Sequence, residues 1–211
     1  MLLIVTSDEE SLFDVAAVEH PNMKVWVQTP RHGRDYGDAR LFGVGYTPHS
    51  RTPTSSEKTL NVFLSAQNTQ PRRVQCFATL EGFRDSRVQP TAGFTQGMDP
   101  AEYMACMTMA KIAPCPSGAV SVDSFRVWEA LQAGALPVVD TVSPVDGITD
   151  YWVRLFGEAP FPIVTDWSQV QWGALLDTWS SNVAEVQAWW AQQKRRYAER
   201  LVEDLKALGA A

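Results

Sequence analysis

The sequence predicts an α/β protein with mostly parallel sheets, and three observations carry that prediction. Short apolar runs alternate with segments of helical periodicity along most of the 211 residues. A stretch rich in Pro, Ser and Thr, residues 47–58, separates two such runs. Residues 183–208 have the length, charge and apolar spacing of a long amphipathic helix. We therefore predict two Rossmann-like domains, a reduced one over residues 1–57 and a larger one over residues 58–211.

The smaller predicted domain has the order strand, helix, strand, strand. Residues 2–6 form a short apolar run, and residues 7–10, SDEE, match a capping box that opens a helix over residues 12–18. Residues 23–28 alternate as a second strand does, and residues 41–46 predict a short third strand. This βαβ pattern is typical of a parallel sheet.

The larger predicted domain repeats the alternation. Helices are expected from Arg72, from Asp99-Pro100 and over residues 183–208. Strands are predicted over residues 60–66, 88–94, 111–115, 136–139 and 161–167. Because ligands of parallel sheets gather at the carboxyl ends of the strands, the loops that follow these strands are where we expect a site.

Residues 116–140, PSGAVSVDSFRVWEALQAGALPVVD, carry the clearest chemical signal. The spacing of Phe125, Trp128 and Leu131 predicts a short helix with one buried face. Gly134 suits the left-handed position at the end of that helix. The apolar run after it predicts a buried strand, so the segment reads as loop, helix and strand of one α/β unit.

The start of this helix is a candidate anion site. Ser121 or Asp123 is placed to cap it, and the free N–H groups of the first turn favour a bound phosphate together with the helix dipole. Arg126 lies within that first turn. Glu129 follows three residues later on the same side, a spacing that a plain surface ion pair also shows.

Composition narrows the classes of function. The net charge of −6 counts against a surface for long nucleic acids. Three cysteines without CxxC spacing indicate neither a zinc site nor a disulfide framework, and no metal is expected. The first residues lack a basic region and no apolar run reaches the length of a membrane span, so we expect a cytoplasmic protein with no membrane partner.

Residues 121–139, SVDSFRVWEALQAGALPVV, resemble the hallmark segment of the exostosin-type glycosyltransferases, roughly Asp-Ser-x-Arg-x-x-Glu-Ala-x-x-x-Gly-x-x-Pro-Val-Val. The resemblance covers about residues 60–205, because the flanking elements agree in order and spacing. It implies a GT-B-like fold whose second half binds a nucleotide sugar. The N-terminal half is much shorter than the acceptor-binding domain of that family.

The resemblance also implies roles for single residues. Arg126 would neutralise the diphosphate as the glycosidic bond breaks, which is a catalytic role. Arg72 or Arg73 would reach the same phosphates, with a slight preference for Arg73. The other residues expected to contact the donor are Gly118, Ser121, Asp123, Ser124 and Glu129, the last of them through the ribose hydroxyls.

Inverting transfer needs a general base that takes the proton of the acceptor hydroxyl. Asp8, at the exit of the first strand, is the first choice, and Glu9, Asp35 and His32 are the alternatives. Asp8 equally suits a helix cap.

The sequence thus leads to a metal-independent, inverting glycosyltransferase with a nucleotide sugar as donor substrate and no other cofactor. Its compactness is that of minimal enzymes which bacteriophages encode. The acceptor carries a hydroxyl and is a protein, a glycan or a modified DNA base, the last disfavoured by the acidic balance. The alternative is a non-catalytic module that binds nucleotide sugars or carbohydrates.

Overall fold

Two parallel sheets form the framework of the computed structural model, which describes residues 1–8, 10–18, 20–47, 50, 57–93 and 96–209. The first sheet has three strands in the order in which they occur along the chain. They are β1 (Leu2–Val5), β2 (Lys24–Gln28) and β3 (Arg40–Phe42).

The second sheet has five parallel strands and contains the main core. Its strands are β4 (Leu60–Gln67), β5 (Ser86–Thr91), β6 (Ala110–Cys115), β7 (Leu136–Asp140) and β10 (Ile163–Val164). Between the last two, β8 (Val142–Ser143) and β9 (Gly147–Ile148) form an antiparallel ribbon. The described helices are α1 (Pro71–Thr79), α2 (Pro100–Met109), α3 (Phe125–Ala133), α4 (Tyr151–Phe156), α5 (Trp172–Asp177) and α6 (Trp179–Gly209). The predicted α/β class, with parallel sheets and a long C-terminal helix, is confirmed.

The strand order of the second sheet is β10-β7-β6-β4-β5, which is 2-1-3-4-5 when its strands are numbered along the chain. This order is one of the two common strand orders of doubly wound sheets. The other common order, 3-2-1-4-5-6, gives the same arrangement when its edge strand 3 is removed and the remaining strands are renumbered. The chain moves outward from β4 to β5 and then returns across β4 to β6. Since parallel crossovers are right-handed, α1 lies on one face and α2 and α3 lie on the other.

The helix predicted over residues 12–18 is wrong, because only a 3₁₀ turn at Ala16–Val18 forms there. Both carboxylate oxygens of Asp8 accept backbone N–H groups, one from Leu12 at 2.8 Å and one from Phe13 at 2.9 Å. These bonds hold the chain in a turn that competes with helix formation. Leu12 is 79% exposed, so the apolar spacing that suggested the helix does not reflect burial.

Other expectations differ in detail. The linker predicted at residues 47–58 lies mostly outside the described residues, and so does Phe94 at the end of the predicted 88–94 strand. In α6, Trp190 is buried, whereas the apolar side chains of Leu201 and Leu205 are exposed. Within the described residues, no helix is both long and apolar enough to cross a membrane.

The two sheets are joined by direct packing. Trp26 of β2 donates its indole N–H to Asp204 of α6 at 2.9 Å. Gly43, directly after β3, lies against the ring of Trp128 in α3. A Cβ on Gly43 would fall 1.8 Å from Cζ2 of Trp128, so this approach requires glycine.

We expect Gly43→Ala to lower the free energy of unfolding by about 1–3 kcal/mol, because the added methyl group overpacks the contact between the sheets. Gly173→Ala is the matched control, since a Cβ at that helical glycine meets no atom within 4 Å. Urea denaturation of both variants measures the difference. Equal stabilities would contradict the close packing of the first sheet on α3.

Candidate functional site

The candidate site lies at the carboxyl ends of β4 and β6, where the following helices leave on opposite faces of the sheet. Ligands of open α/β sheets bind in such crevices. Gln70 is the N-cap of α1, and Ser124 is the N-cap of α3 instead of the predicted Ser121 or Asp123. The amide of Gln70 donates to the carbonyl of Ser117 at 2.8 Å, which joins the two loops.

Two guanidinium groups lie close enough to interact at these strand ends. Arg73 donates from Nε to the carbonyl oxygen of Ser117 at 3.1 Å, and Arg126 donates from Nη2 to that of Ser65 at 2.8 Å. Among the described residues, neither group forms an ion pair with a carboxylate. Burial and the nearby charge of Arg126 lower the pKa of Arg73 to about 10. The site therefore holds two positive charges that repel each other.

Two polar atoms without hydrogen-bond partners belong to or lie near the cation pair formed by Arg73 and Arg126. The Nε atom of Arg126 and the hydroxyl oxygen of Ser124 are buried with no hydrogen-bond partner among the described residues. Ser124 has extended backbone at the N-cap, but its side chain forms no cap bond. A buried donor without a partner costs about 1–3 kcal/mol, so a ligand oxygen bound there would recover that free energy.

Arg72, the other arginine of α1, lies elsewhere. Its guanidinium makes two bonds to the carboxylate of Asp140, from Nη2 at 2.7 Å and from Nε at 3.0 Å. Asp140 is fully buried and also accepts from the Ser117 hydroxyl and the Trp167 indole. The charge of Arg72 is thus already neutralised inside the protein, unlike that of Arg73.

The loop before α3 is a tight turn that depends on Gly118. Its N–H donates to the carbonyl of Ser121 at 2.8 Å, and a Cβ there would fall 3.0 Å from the carbonyl oxygen of Asp123. The hydroxyl of Ser121 in turn accepts the N–H of Asp123. Gly118 and Ser121 therefore shape the loop that leads to the cation pair.

Asp123 faces inward and connects three elements. Its carboxylate accepts from the backbone N–H of Val44, the hydroxyl of Tyr151 and the indole of Trp128, each at 2.7 Å. Burial raises the pKa of Asp123 to about 6, although these hydrogen bonds oppose the shift. In this arrangement Asp123 fixes the position of α3 against the first sheet.

Glu129 is also enclosed. It accepts a hydrogen bond from the Thr47 hydroxyl at 3.1 Å and lies next to the hydroxyl of Tyr103. Burial lowers the pKa of Arg126. The surrounding groups, among them Tyr103 and Glu129, act in the opposite direction, and the net result is a pKa above the ordinary value of arginine. Glu129 thus supports the charge of Arg126 from inside the protein.

A cleft of about 650 Å³ adjoins the start of α3. Asp8 lines it on the side of the first sheet, and the exposed ring of Phe125 lines it on the side of α3. Among the alternatives to Asp8, Glu9 lies outside the described residues, and Asp35 is an exposed turn residue that accepts the N–H of Gly37. His32 reaches across to the second sheet unit and pairs with Asp150.

Two residues of the site were missed by the sequence analysis. Asp140 could have been found as a carboxylate that ends a continuously apolar strand, because such a group needs a buried partner. Gln70 directly precedes Pro71, a pattern typical of a helix N-cap, but its bond to Ser117 spans 47 positions and leaves no local signal.

The comparisons with known proteins add no assignment. No protein-family model matches the chain, and the search of curated proteins gave no match. Within the described part of the chain, no cluster of three or more His, Cys, Asp or Glu residues has an arrangement that could hold a metal ion.

We expect Arg72→Met to lower the free energy of unfolding by about 3–5 kcal/mol, because it leaves the buried charge of Asp140 without its partner. The control is Arg87→Met, which removes an exposed ion pair with Glu102 and should change the free energy of unfolding far less. Chemical denaturation of the two variants measures both values. Similar losses in the two would show that the Arg72 pair is no more important than a surface pair.

Proposed function

We propose that the protein is a glycosyltransferase that moves a sugar from a nucleoside diphosphate to a hydroxyl acceptor, with inversion and without a metal ion. The observation that carries the proposal is the pair of Arg73 in α1 and Arg126 in α3, neither of which forms an ion pair with a carboxylate among the described residues. A diphosphate has the charge and the oxygen acceptors that this pair lacks. The resemblance of residues 121–139 to exostosin-type enzymes supports the same donor class.

The chemistry of transfer suits such a pair. As the bond between the anomeric carbon and the diphosphate breaks, negative charge grows on the leaving oxygen. Guanidinium groups and helix N–H groups that are already aimed at that charge stabilise the transition state. In this proposal Arg126 is the catalytic cation and Arg73 holds the diphosphate, while Arg72 acts indirectly through Asp140.

The neighbouring cleft supports an acceptor on the side of the first sheet. Phe125 is the first residue of α3 and also lines the cleft, so donor and acceptor regions meet at one helix terminus. In this proposal the first sheet binds the acceptor and the second sheet binds the donor, as in a GT-B-like fold.

A second candidate is a module that binds nucleotide sugars without catalysis. The specific observation in its favour is that both oxygens of Asp8, the first choice of base, already accept backbone N–H groups. Such a module would bind the same donor at the same site but would not transfer the sugar.

The donor site is tested by calorimetric titration with UDP, GDP, ADP, CDP and TDP and with their sugar conjugates. We expect one of them to bind, and Arg126→Gln to weaken its binding roughly 10- to 150-fold, as the loss of a charge-assisted bond worth about 1.5–3 kcal/mol requires. Arg84→Gln is the control, because Arg84 is exposed at the opposite end of the sheet, just before β5.

Release of the nucleoside diphosphate from the bound sugar conjugate separates the two candidates. Turnover supports the enzyme, and binding without turnover supports the module. Failure of every nucleotide to bind, or unchanged affinity in Arg126→Gln, would refute the donor site itself.

A further inference from the structure

A histidine and an aspartate from different parts of the chain pair beside the candidate site. Nδ1 of His32, in the loop between β2 and β3, lies 2.9 Å from Oδ1 of Asp150. Asp150 occupies the N-cap position of α4, yet its side chain forms no cap bond and is directed to His32 instead. The pair therefore links the first sheet to the second.

This pairing fixes the chemistry of the imidazole. Desolvation raises the pKa of Asp150, but the hydrogen bond from His32, a backbone hydrogen bond and the nearby charge of Arg154 together leave it below its ordinary value. An ionised carboxylate only accepts, so Nδ1 of His32 carries the proton and donates it. In the neutral imidazole the lone pair is then on Nε2, for which no described residue supplies a hydrogen bond.

The location of His32 connects it to the candidate site. A small cavity is lined by His32 and by Ser121 and Val122 of the loop before α3. This cavity and the 650 Å³ cleft share two lining residues, Thr29 and Val120. His32 thus lies in the cavity next to the cleft, against the loop that leads to the cation pair.

The backbone beside His32 is strained. Thr29, directly after β2, has φ of 52° and is 3% exposed. A β-branched residue rarely adopts this left-handed conformation, and such strain of about 1–3 kcal/mol clusters at functional sites. The loop of residues 30–37 follows Thr29 and contacts the second sheet unit, where Arg31 binds Asp146 at 3.1 Å and His32 binds Asp150.

We infer that His32 is the general base of the transfer reaction and that Asp150 is its positioning residue; the inference rests on the proposed function. Asp8 is less suited, because both of its oxygens are occupied by the N–H groups of Leu12 and Phe13. Nε2 of His32 has no such competitor among the described residues.

In the proposed step, Nε2 of His32 takes the proton of the acceptor hydroxyl while the hydroxyl oxygen attacks the anomeric carbon. The new carbon–oxygen bond forms as the bond to the diphosphate breaks, and that electron pair leaves with the nucleoside diphosphate. Asp150 stabilises the imidazolium until water removes the proton.

Hydrolysis of the bound nucleotide sugar is a suitable assay, because water must also lose a proton as it attacks. The release of nucleoside diphosphate is followed between pH 5 and 9, with the nucleotide sugar that the calorimetric titration identifies. Groups around His32 that could also shape the profile are Asp150, Asp146, Arg31, Arg154 and Tyr151.

We expect His32→Gln to lower kcat about 10²- to 10⁴-fold and to remove the acid limb of the pH profile, with the affinity for the nucleotide retained. Asp150→Asn should lower kcat about 10- to 100-fold and leave KM for the nucleotide sugar unchanged, because the imidazole loses the acceptor that orients it. His20→Gln, a change at an exposed histidine outside the cleft, is the control.

Two results would overturn the inference. The first is a profile and a kcat that His32→Gln leaves unchanged. The second is a loss of the expected size in Asp8→Asn together with activity in His32→Gln. Failure of the wild-type protein to bind any nucleotide, or to release nucleoside diphosphate at any pH, would instead refute the proposed enzyme, so the two failures are distinguishable.

Discussion

The buried carboxylate of Asp140 is the constraint on which the candidate site depends. A charge with no exposure costs several kcal/mol unless donors surround it, and here they come from α1, from the loop after β6 and from the turn after β10. Arg72 supplies the opposite charge and Ser117 supplies a hydroxyl. These bonds fix Ser117 where its carbonyl accepts from both Gln70 and Arg73. The position of Arg73 in the cation pair thus depends on the ion pair between Asp140 and Arg72, the residue directly before Arg73.

Local chemistry explains what the sequence could predict of the fold. Asp99 before Pro100 predicts the start of α2, and its carboxylate does accept the N–H groups of Ala101 and Glu102. Gly134 ends α3 with φ of 69°, as a left-handed cap requires. The helix predicted after Asp8 failed for a related reason, since a carboxylate that bonds two N–H groups can stabilise a turn as well as a helix. The short α4 and α5 were not predicted, because six residues give too few turns for a helical period to show.

The sequence predicted part of the candidate site but not the long-range contacts within it. Arg73 and Arg126 each follow a strand of the second sheet, and a parallel sheet brings such residues to one edge. The partner of Arg72 lies 68 positions away, so the sequence could not show that its charge is already neutralised. Asp123 and Glu129 matched the family pattern, yet Tyr151 and Thr47 from distant segments hold them inside the protein. Their expected contacts with the diphosphate and the ribose stay predictions.

A crystal structure with a bound nucleoside diphosphate tests the central claim most directly. If Arg73 and Arg126 form the donor site, phosphate oxygens should lie about 2.7–2.9 Å from both guanidinium groups, one of them on Nε of Arg126, with Arg72 still bound to Asp140. A nucleotide that binds elsewhere, or one that draws Arg72 away from Asp140 and leaves Arg126 uncontacted, would contradict the claim.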